Sequence, residues 1–422
     1  MERVDSRYRM GALALILFAL VPLPAAAGAL YVYEFSNASE SGYGGVGLAA
    51  RANDAGTVFT NPAGMTRFDD SAMLAGGIGV VIDAGFTTSS ENTASGKSGY
   101  VNKRLLPAGS FAYLRQLNDK WWAGVSVQNY FGLSVDWPDD WVGRRSSVNV
   151  AVMAPQVQPT LSYKVNDWLS VGAGAALTLG YFSDKLRQGA LTPGYPDGKV
   201  RISDTDTAVQ GNFGIMLQPW EHTRIGLRYL TETDLDFKDS PNVSWKDPIG
   251  QLLPGTDKKL DLGITMPQTV SLGVHHRYDE KLNLLGSVGW DEISKFGHVQ
   301  VNIDDNGRPG TTVDADFRDT WHFGVGAEYQ WRPDLQLTAG IAYDTSMSTE
   351  RTRPLAIPLG SLYRYAIGFK QKRGDGLTIG GGFTWLYEGN LPVENRPGID
   401  GRVYGKYSNA SLYFFSLYAA WD

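Results

Sequence analysis

The segment "WHFGVGAEYQW", residues 321–331, sorts its side chains into two unlike sets. Trp321, Phe323, Val325, Ala327, Tyr329 and Trp331 share one parity, and His322, Gly324, Gly326, Glu328 and Gln330 share the other. Successive residues of a strand point to opposite faces, so this stretch makes a strand with one wholly apolar face, aromatic at both ends, backed by a polar one. "WLSVGAGAALTLGY" behaves alike, with Leu169, Val171, Ala173, Ala175, Leu177, Leu179 and Tyr181 together. Apolar outward, polar inward and aromatic at two interfaces is the pattern of a transmembrane β-strand. A soluble sandwich would have to bury every such face against a partner sheet.

The same test yields fourteen candidate strands, near 71–85, 108–117, 121–131, 147–165, 168–180, 206–217, 223–237, 266–277, 281–290, 318–331, 335–343, 361–371, 377–388 and 408–421. Six connections read as tight turns: Asn118-Asp119, Asn166-Asp167, Pro219 to His222, Asp279-Glu280, Pro333-Asp334 and Gly374-Asp375-Gly376. The other seven are long and polar, and short alternates strictly with long. Outer-membrane barrels have this asymmetry, with short periplasmic turns and long extracellular loops. The expected fold is therefore an all-β, fourteen-stranded antiparallel transmembrane β-barrel over residues 71–422, both termini periplasmic, in the outer membrane of a Gram-negative bacterium.

The first residues agree. Arg3, Arg7 and Arg9 precede the apolar run "GALALILFALV" and the small residues Ala25-Ala26-Ala27, which reads as a signal peptide over 1–27. A soluble enzyme rarely combines 50 Gly, 21 Tyr and 12 Trp. With no Cys, disulfides, zinc–cysteine sites and catalytic thiols are excluded, and a net charge of −6 argues against a nucleic-acid partner.

Residues 28–70 show no spanning periodicity and start on the periplasmic side, so they are free to fold into the lumen as a hatch. They hold a G-x-G-x-x-G at Gly42, Gly44 and Gly47. A dinucleotide fingerprint needs a buried strand before it and an acidic residue about 20 positions on, at the end of a second strand. Here the preceding "YEFSNASE" is short and polar, so the glycines are expected to serve tight turns and close packing inside the barrel.

"ARANDAGTVFTNPAGM" (50–65) resembles the hatch of the FadL family, outer-membrane channels for long-chain fatty acids and other hydrophobic compounds. "YEFS" (33–36), "YFGL" (130–133), "DDWVGR" (139–144), "YKVNDWLSVGAGAAL" (163–177), "TRIGLRY" (223–229), "MPQTVSLGV" (266–274) and "LTAGIAYDTS" (337–346) resemble family segments in the family's order. The resemblance implies a monomeric barrel closed by the hatch, a ligand groove among the extracellular loops, and a kinked third strand opening sideways to the membrane. It makes Asn61, Pro62 and Ala63 a gate, whereas the residues alone also permit a simply capped turn. It implies, as partners, a hydrophobic small molecule together with outer-membrane lipid and lipopolysaccharide, and no cofactor.

The lateral opening is expected at Asn129, Tyr130, Phe131 and Gly132. Asn129 interrupts the outward series Trp121, Ala123, Val125, Val127, and Gly132 follows. A bend accounts for this, as does Asn129 reaching the membrane interface. Trp137 and Trp141, with Phe131 and Leu133, are the expected capture site in the loops. Tyr31, Tyr33 and Phe35 would offer apolar contacts near the hatch. Family members commonly carry Arg where this chain has Leu230, Thr338 and Leu362. Arg224, Arg228, Arg364 and Lys370 remain on inward faces as possible carboxylate partners, so a neutral hydrocarbon gains ground over a fatty acid. The chain also ends "LYAAWD" rather than on an aromatic residue. A general polar porin or a structural outer-membrane protein is the alternative.

Catalysis finds no footing. His275 and His276 are adjacent and point to opposite faces, His222 and His298 sit in connections, and no G-x-S-x-G occurs. "NIDDNGRPG" (302–310) lacks the ligand spacing of a calcium loop and reads as a solvated turn. Neither enzyme nor metal site is expected.

Overall fold

A computed structural model of the chain describes residues 32–188, 197–239, 242–246, 252–253, 259–304, 311–374, 376–394 and 401–422. Fourteen antiparallel strands form one closed barrel. In chain order they are β1 Ser71–Thr88, β2 Leu105–Asn118, β3 Trp121–Asp136, β4 Asn149–Lys164, β5 Leu169–Gln188, β6 Gly198–Trp220 and β7 Thr223–Leu230, followed by β8 Thr269–Arg277, β9 Leu282–Asp291, β10 Thr320–Arg332, β11 Leu335–Asp344, β12 Leu362–Lys372, β13 Leu377–Glu394 and β14 Tyr404–Trp421. Each pairs with its sequence neighbours, and the seam closes between β1 and β14, from Met73↔Trp421 to Thr88↔Gly405.

The alternation holds along the wall. In β10, Val325 is 68% exposed while His322, three residues earlier on the other face, is 2% exposed. Tight turns join one end and long loops the other, in strict alternation. Two expected strands are shorter inside the barrel than their sequence ranges. The chain leaves β7 at Leu230 and continues as Thr233–Asp239, which pairs with Lys259–Met266 in a separate four-stranded sheet with His298–Asp304 and Thr311–Asp314. The break before β8 falls at Pro267-Gln268, where proline cannot donate to the ladder. Conversely β2, β6 and β14 begin earlier than expected, because their long-loop ends, polar in β6 and β14 and Leu105-Leu106-Pro107 in β2, still pair with a neighbouring strand. The residues 1–27, Tyr31 and the tip 305–310 lie outside the described residues.

Residues 32–70 fill the lumen and are buried through most of their length. They form short 3-10 turns (Tyr33–Phe35, Ala38–Gly42, Pro62–Arg67) and one four-residue helical turn, Thr57–Thr60. Gly44 and Gly47 take positive φ (62° and 69°), a region open to glycine and strained for other residues. A Cβ on Gly42 would stand 3.2 Å from the Cα of Gly368 in β12. The glycine motif is thus a turn-and-packing device with no strand delivering into it.

Candidate functional site: the hatch, its clamps and a break in the wall

Asn61 sits at the joint between two turns of the hatch. Its Oδ1 accepts from the Ala63 amide (3.1 Å), capping the turn that Pro62 opens. Its Nδ2 donates to the carbonyl of Ala49 within the hatch (2.6 Å) and to that of Ile215 in the β6 wall (3.1 Å). The wall is hollowed to receive this triplet. A Cβ on Gly172 of β5 would meet the Ala63 nitrogen at 2.6 Å, and one on Gly214 of β6 would collide with Asn61. Asn61, Pro62 and Ala63 therefore dock the hatch against β5 and β6.

The inward cations are all engaged with or beside the hatch. Arg364 donates Nε to Asp344 (2.6 Å) and Nη1 to Glu34 (2.6 Å), with its guanidinium 5.0 Å from the Tyr33 ring centre. Arg224 donates to the carbonyls of Ala50 (3.2 Å) and Arg51 (2.7 Å). Lys370 stands 3.5 Å from Asp54, and Arg51 pairs with Glu40. Arg228 lies 4.3 Å over the Phe59 ring and donates to Asn212 (3.3 Å). Glu328 of β10 collects Tyr43 (2.8 Å), Asn283 (2.9 Å) and Asn53. The expectation that Arg224, Arg228, Arg364 and Lys370 face inward is met, but they hold the hatch rather than line an open anion site. Their partners Glu34 and Asp54 leave no local mark in the sequence, being hundreds of residues from Arg364 and Lys370, whereas Asp344 is 20 positions from Arg364 and on the neighbouring strand β11.

The three positions without arginine differ in use. Leu230 joins Phe59, Leu235 and Phe237 in an apolar lumen cluster, Thr338 donates to the Gly42 carbonyl (2.8 Å), and Leu362 is buried. Tyr33 is edge-on to His322 (4.8 Å) and reaches Asp291 (3.4 Å), while Phe35 packs edge-on against Phe414 (5.2 Å).

The loop tryptophans correct one expectation. Trp137 is 2% exposed and Trp141 0% exposed, stacked at 4.2 Å and 10°. Their indole nitrogens are satisfied by the carbonyls of Ala356 and Ser147 (2.9 Å each). Loops from distant parts of the chain fold over them, so in this state they are the core of a closed cap and not an open capture surface. Side chains of Tyr130, Phe131 and Leu133 lie outside the described ones.

The third strand is irregular where expected. Pairing of β2 with β3 stops at Phe111↔Val127, although β2 goes on pairing with β1 as far as Val81↔Leu105 and β3 with β4 as far as Asp136↔Asn149. On the β4 side the register shifts between Asn129 and Phe131, inserting Tyr130 as an extra residue. Such a bulge exchanges the two faces of a strand. Val127 pairs with the exposed Val157, yet Val135, of the same parity, pairs with Val150 and both are buried. Gly132 falls opposite Met153. The wall is therefore unpaired between β2 and β3 from Val127 up to Asp136, where the Asn102 amide closes the gap by donating to the Asp136 carbonyl (2.9 Å). A cavity of about 380 Å³ lies at this window, lined on the lumen side by Ile82 and Leu106 and on the outer side by Leu105, Pro107 and Ser134.

The chain matches the family described as "Outer membrane protein transport protein (OMPP1/FadL/TodX)" over residues 18–420. It is 26% identical to outer membrane protein P1 of Haemophilus influenzae, covering 88% of this chain and 89% of that one. It is 21% identical to the long-chain fatty acid transport protein of Escherichia coli K12, covering 86% and 90%. A Pseudomonas aeruginosa FadL homologue superposes with TM-score 0.80 at 21% identity, covering 93% of this chain and 100% of that one. The P. putida toluene transporter TodX gives 0.70 at 16%, covering 95% and 99%. The family match spans nearly the whole of a barrel built round a hatch: the chain belongs to the FadL family of outer-membrane transport proteins, whose members are not enzymes.

Proposed function

We propose that the protein is a passive uptake channel for hydrophobic compounds, with both termini in the periplasm and the long loops outside the cell, working as a monomer. The observation that carries the reading is the break in the wall. A ligand that leaves through the window between β2 and β3 reaches the membrane without crossing a polar pore, while the hatch bars the route straight through. The apolar interior supports it, since one continuous cluster joins Trp137 and Trp141 in the loop cap to Phe35 in the hatch. In this reading the cap opens to admit ligand, the hatch shifts about Asn61-Pro62-Ala63, and the ligand leaves sideways past Asn129–Gly132. Burial of apolar surface, at roughly 25 cal/mol per Å², favours capture, and the concentration gradient drives net flow.

The ligand is a neutral hydrocarbon or alkylbenzene in preference to a fatty acid. Each inward cation already faces a carboxylate, a carbonyl or an aromatic ring, so another carboxylate would compete with a partner already in place. The test removes Tyr130, which restores the regular register and lets β2 and β3 pair along their length. Uptake of an alkylbenzene should fall by about tenfold while the barrel stays folded. Unchanged uptake would sink the lateral route, and a large steady conductance of the intact protein in planar bilayers would favour a polar porin instead.

A further inference from the structure

On the membrane face of β5, the apolar series from Leu169 to Tyr181 gives way to Ser183 and then Lys185. Twelve residue steps of ~3.3 Å at a tilt of ~45° make that apolar span about 28 Å tall, close to the ~25 Å band of such barrels. Lys185 comes four steps after Tyr181, so it stands about 9 Å beyond the band, on the long-loop side. Arg201 of β6 lies directly opposite it, and Asn149 of β4 is its partner on the other side.

Two like charges directly opposed on one face destabilise a sheet. Both side chains are exposed, and among the described residues neither has an ion-pair or hydrogen-bond partner. Other cations of the same rim do: Lys97 pairs with Asp140, Lys103 with Asp83 and Arg104 with Asp136. Asn149, Ser183, Lys185 and Arg201 also form the polar outer wall of the cavity at the window.

We infer that Lys185 and Arg201 form a docking site for a phosphate of the lipid A moiety of lipopolysaccharide, beside the outer mouth of the window. The inference rests on the orientation proposed above. An Arg fork and a Lys ammonium on adjacent strands provide paired charge-assisted bonds to one phosphate, which also removes their mutual repulsion. The acyl chains of the same lipid lie over Leu177, Leu179 and Val209, all exposed on the outer wall below. Anionic headgroup and apolar strip together select a phosphorylated lipid of the outer leaflet over free phosphate.

The test titrates the full-length protein in detergent with lipid A, read by native mass spectrometry, against dephosphorylated lipid A, phosphatidylglycerol and inorganic phosphate. Lipid A should bind, and binding should weaken by about tenfold or more in Lys185→Ala/Arg201→Ala and on dephosphorylation, while Lys97→Ala changes nothing. Equal binding by the double variant, by dephosphorylated lipid A or by phosphatidylglycerol overturns the site, as does displacement of lipid A by equimolar inorganic phosphate. Heat-dependent gel mobility checks that the variant is folded; if it is not, wild-type protein with the two forms of lipid A decides. Labelling a cysteine at Lys199 in intact cells tests the orientation separately: lipid A binding in detergent with no label from outside would reject the orientation, and the lipopolysaccharide assignment with it.

Discussion

Arg364 is the most constrained of the clamps, 1% exposed at its side chain, with two 2.6 Å bonds to Glu34 of the hatch and Asp344 of β11. Arg364→Met keeps the length of the side chain and removes both bonds. Asp344 retains His322 at 2.7 Å. Glu34 fares worse: it is fully buried, and its other oxygen, Oε1, has no hydrogen-bond partner to fall back on. Removing one member of a buried pair costs ~3–5 kcal/mol, and the surviving Asp344 bond argues for the lower end. The relief is local, because the turn carrying Glu34 can swing out while the barrel stays closed. About 3 kcal/mol corresponds to roughly 150-fold in the population of the opened turn. The chain has no cysteine, so Ser41→Cys, nearly isosteric and buried in the same segment, reports that opening through its maleimide labelling rate. A rise of about two orders of magnitude on adding Arg364→Met is expected. A rate within about threefold of the parent would show that the ion pairs do not hold this part of the hatch, and Glu34→Gln in the Arg364→Met background should recover part of the loss.

Other expectations are equally direct. Gly172→Val, whose Cβ would fall 2.6 Å from the Ala63 nitrogen, should leave a heat-modifiable barrel but increase labelling of a cysteine at Ala63; unchanged labelling would mean the hatch is not seated in that recess. Trp141→Ala removes the stacked partner of Trp137 and should cost the loop cap ~3–5 kcal/mol, seen as faster proteolysis of the long loops with the barrel core intact. Thr338→Val deletes the bond to the Gly42 carbonyl without changing volume much, and should cost ~1–3 kcal/mol, measured by the same Ser41→Cys labelling.

The barrel was legible because lipid on one side and packed hatch on the other enforce a two-residue period over ten or more positions, as Val325 and His322 show. The kink was half legible. Asn129 on an apolar face signals an irregularity, but which residue is extra depends on pairing with β4, and only the register reveals Tyr130. The tryptophans misled for a plain reason: aromatic residues in a loop look alike whether they face solvent or a cap, and the cover on Trp137 includes Ala356, far along the chain. The clamps were invisible as pairs, since Arg364 and Glu34 are 330 positions apart. The inward glycines of "VGAGAAL" were readable as a polar-side pattern, yet their purpose appears only when Ala63 is seen against Gly172.

Those wall glycines bear on how the molecule can be assembled. Gly76 on β1, Gly172, Gly214 and Gly382 all stand where a Cβ would strike the hatch, so the inner wall is a mould of the segment inside it. The segment is joined directly to β1, one side of the seam that closes against β14. Wall and hatch fit in one seating, since a side chain at any of these glycines would overlap the hatch. Emptied, the same wall would present Thr338, Thr384 and Asn212, now bonded to hatch carbonyls, to a void that only water could satisfy. Chain order, with the filling synthesised ahead of the wall, is thus part of the barrel's architecture.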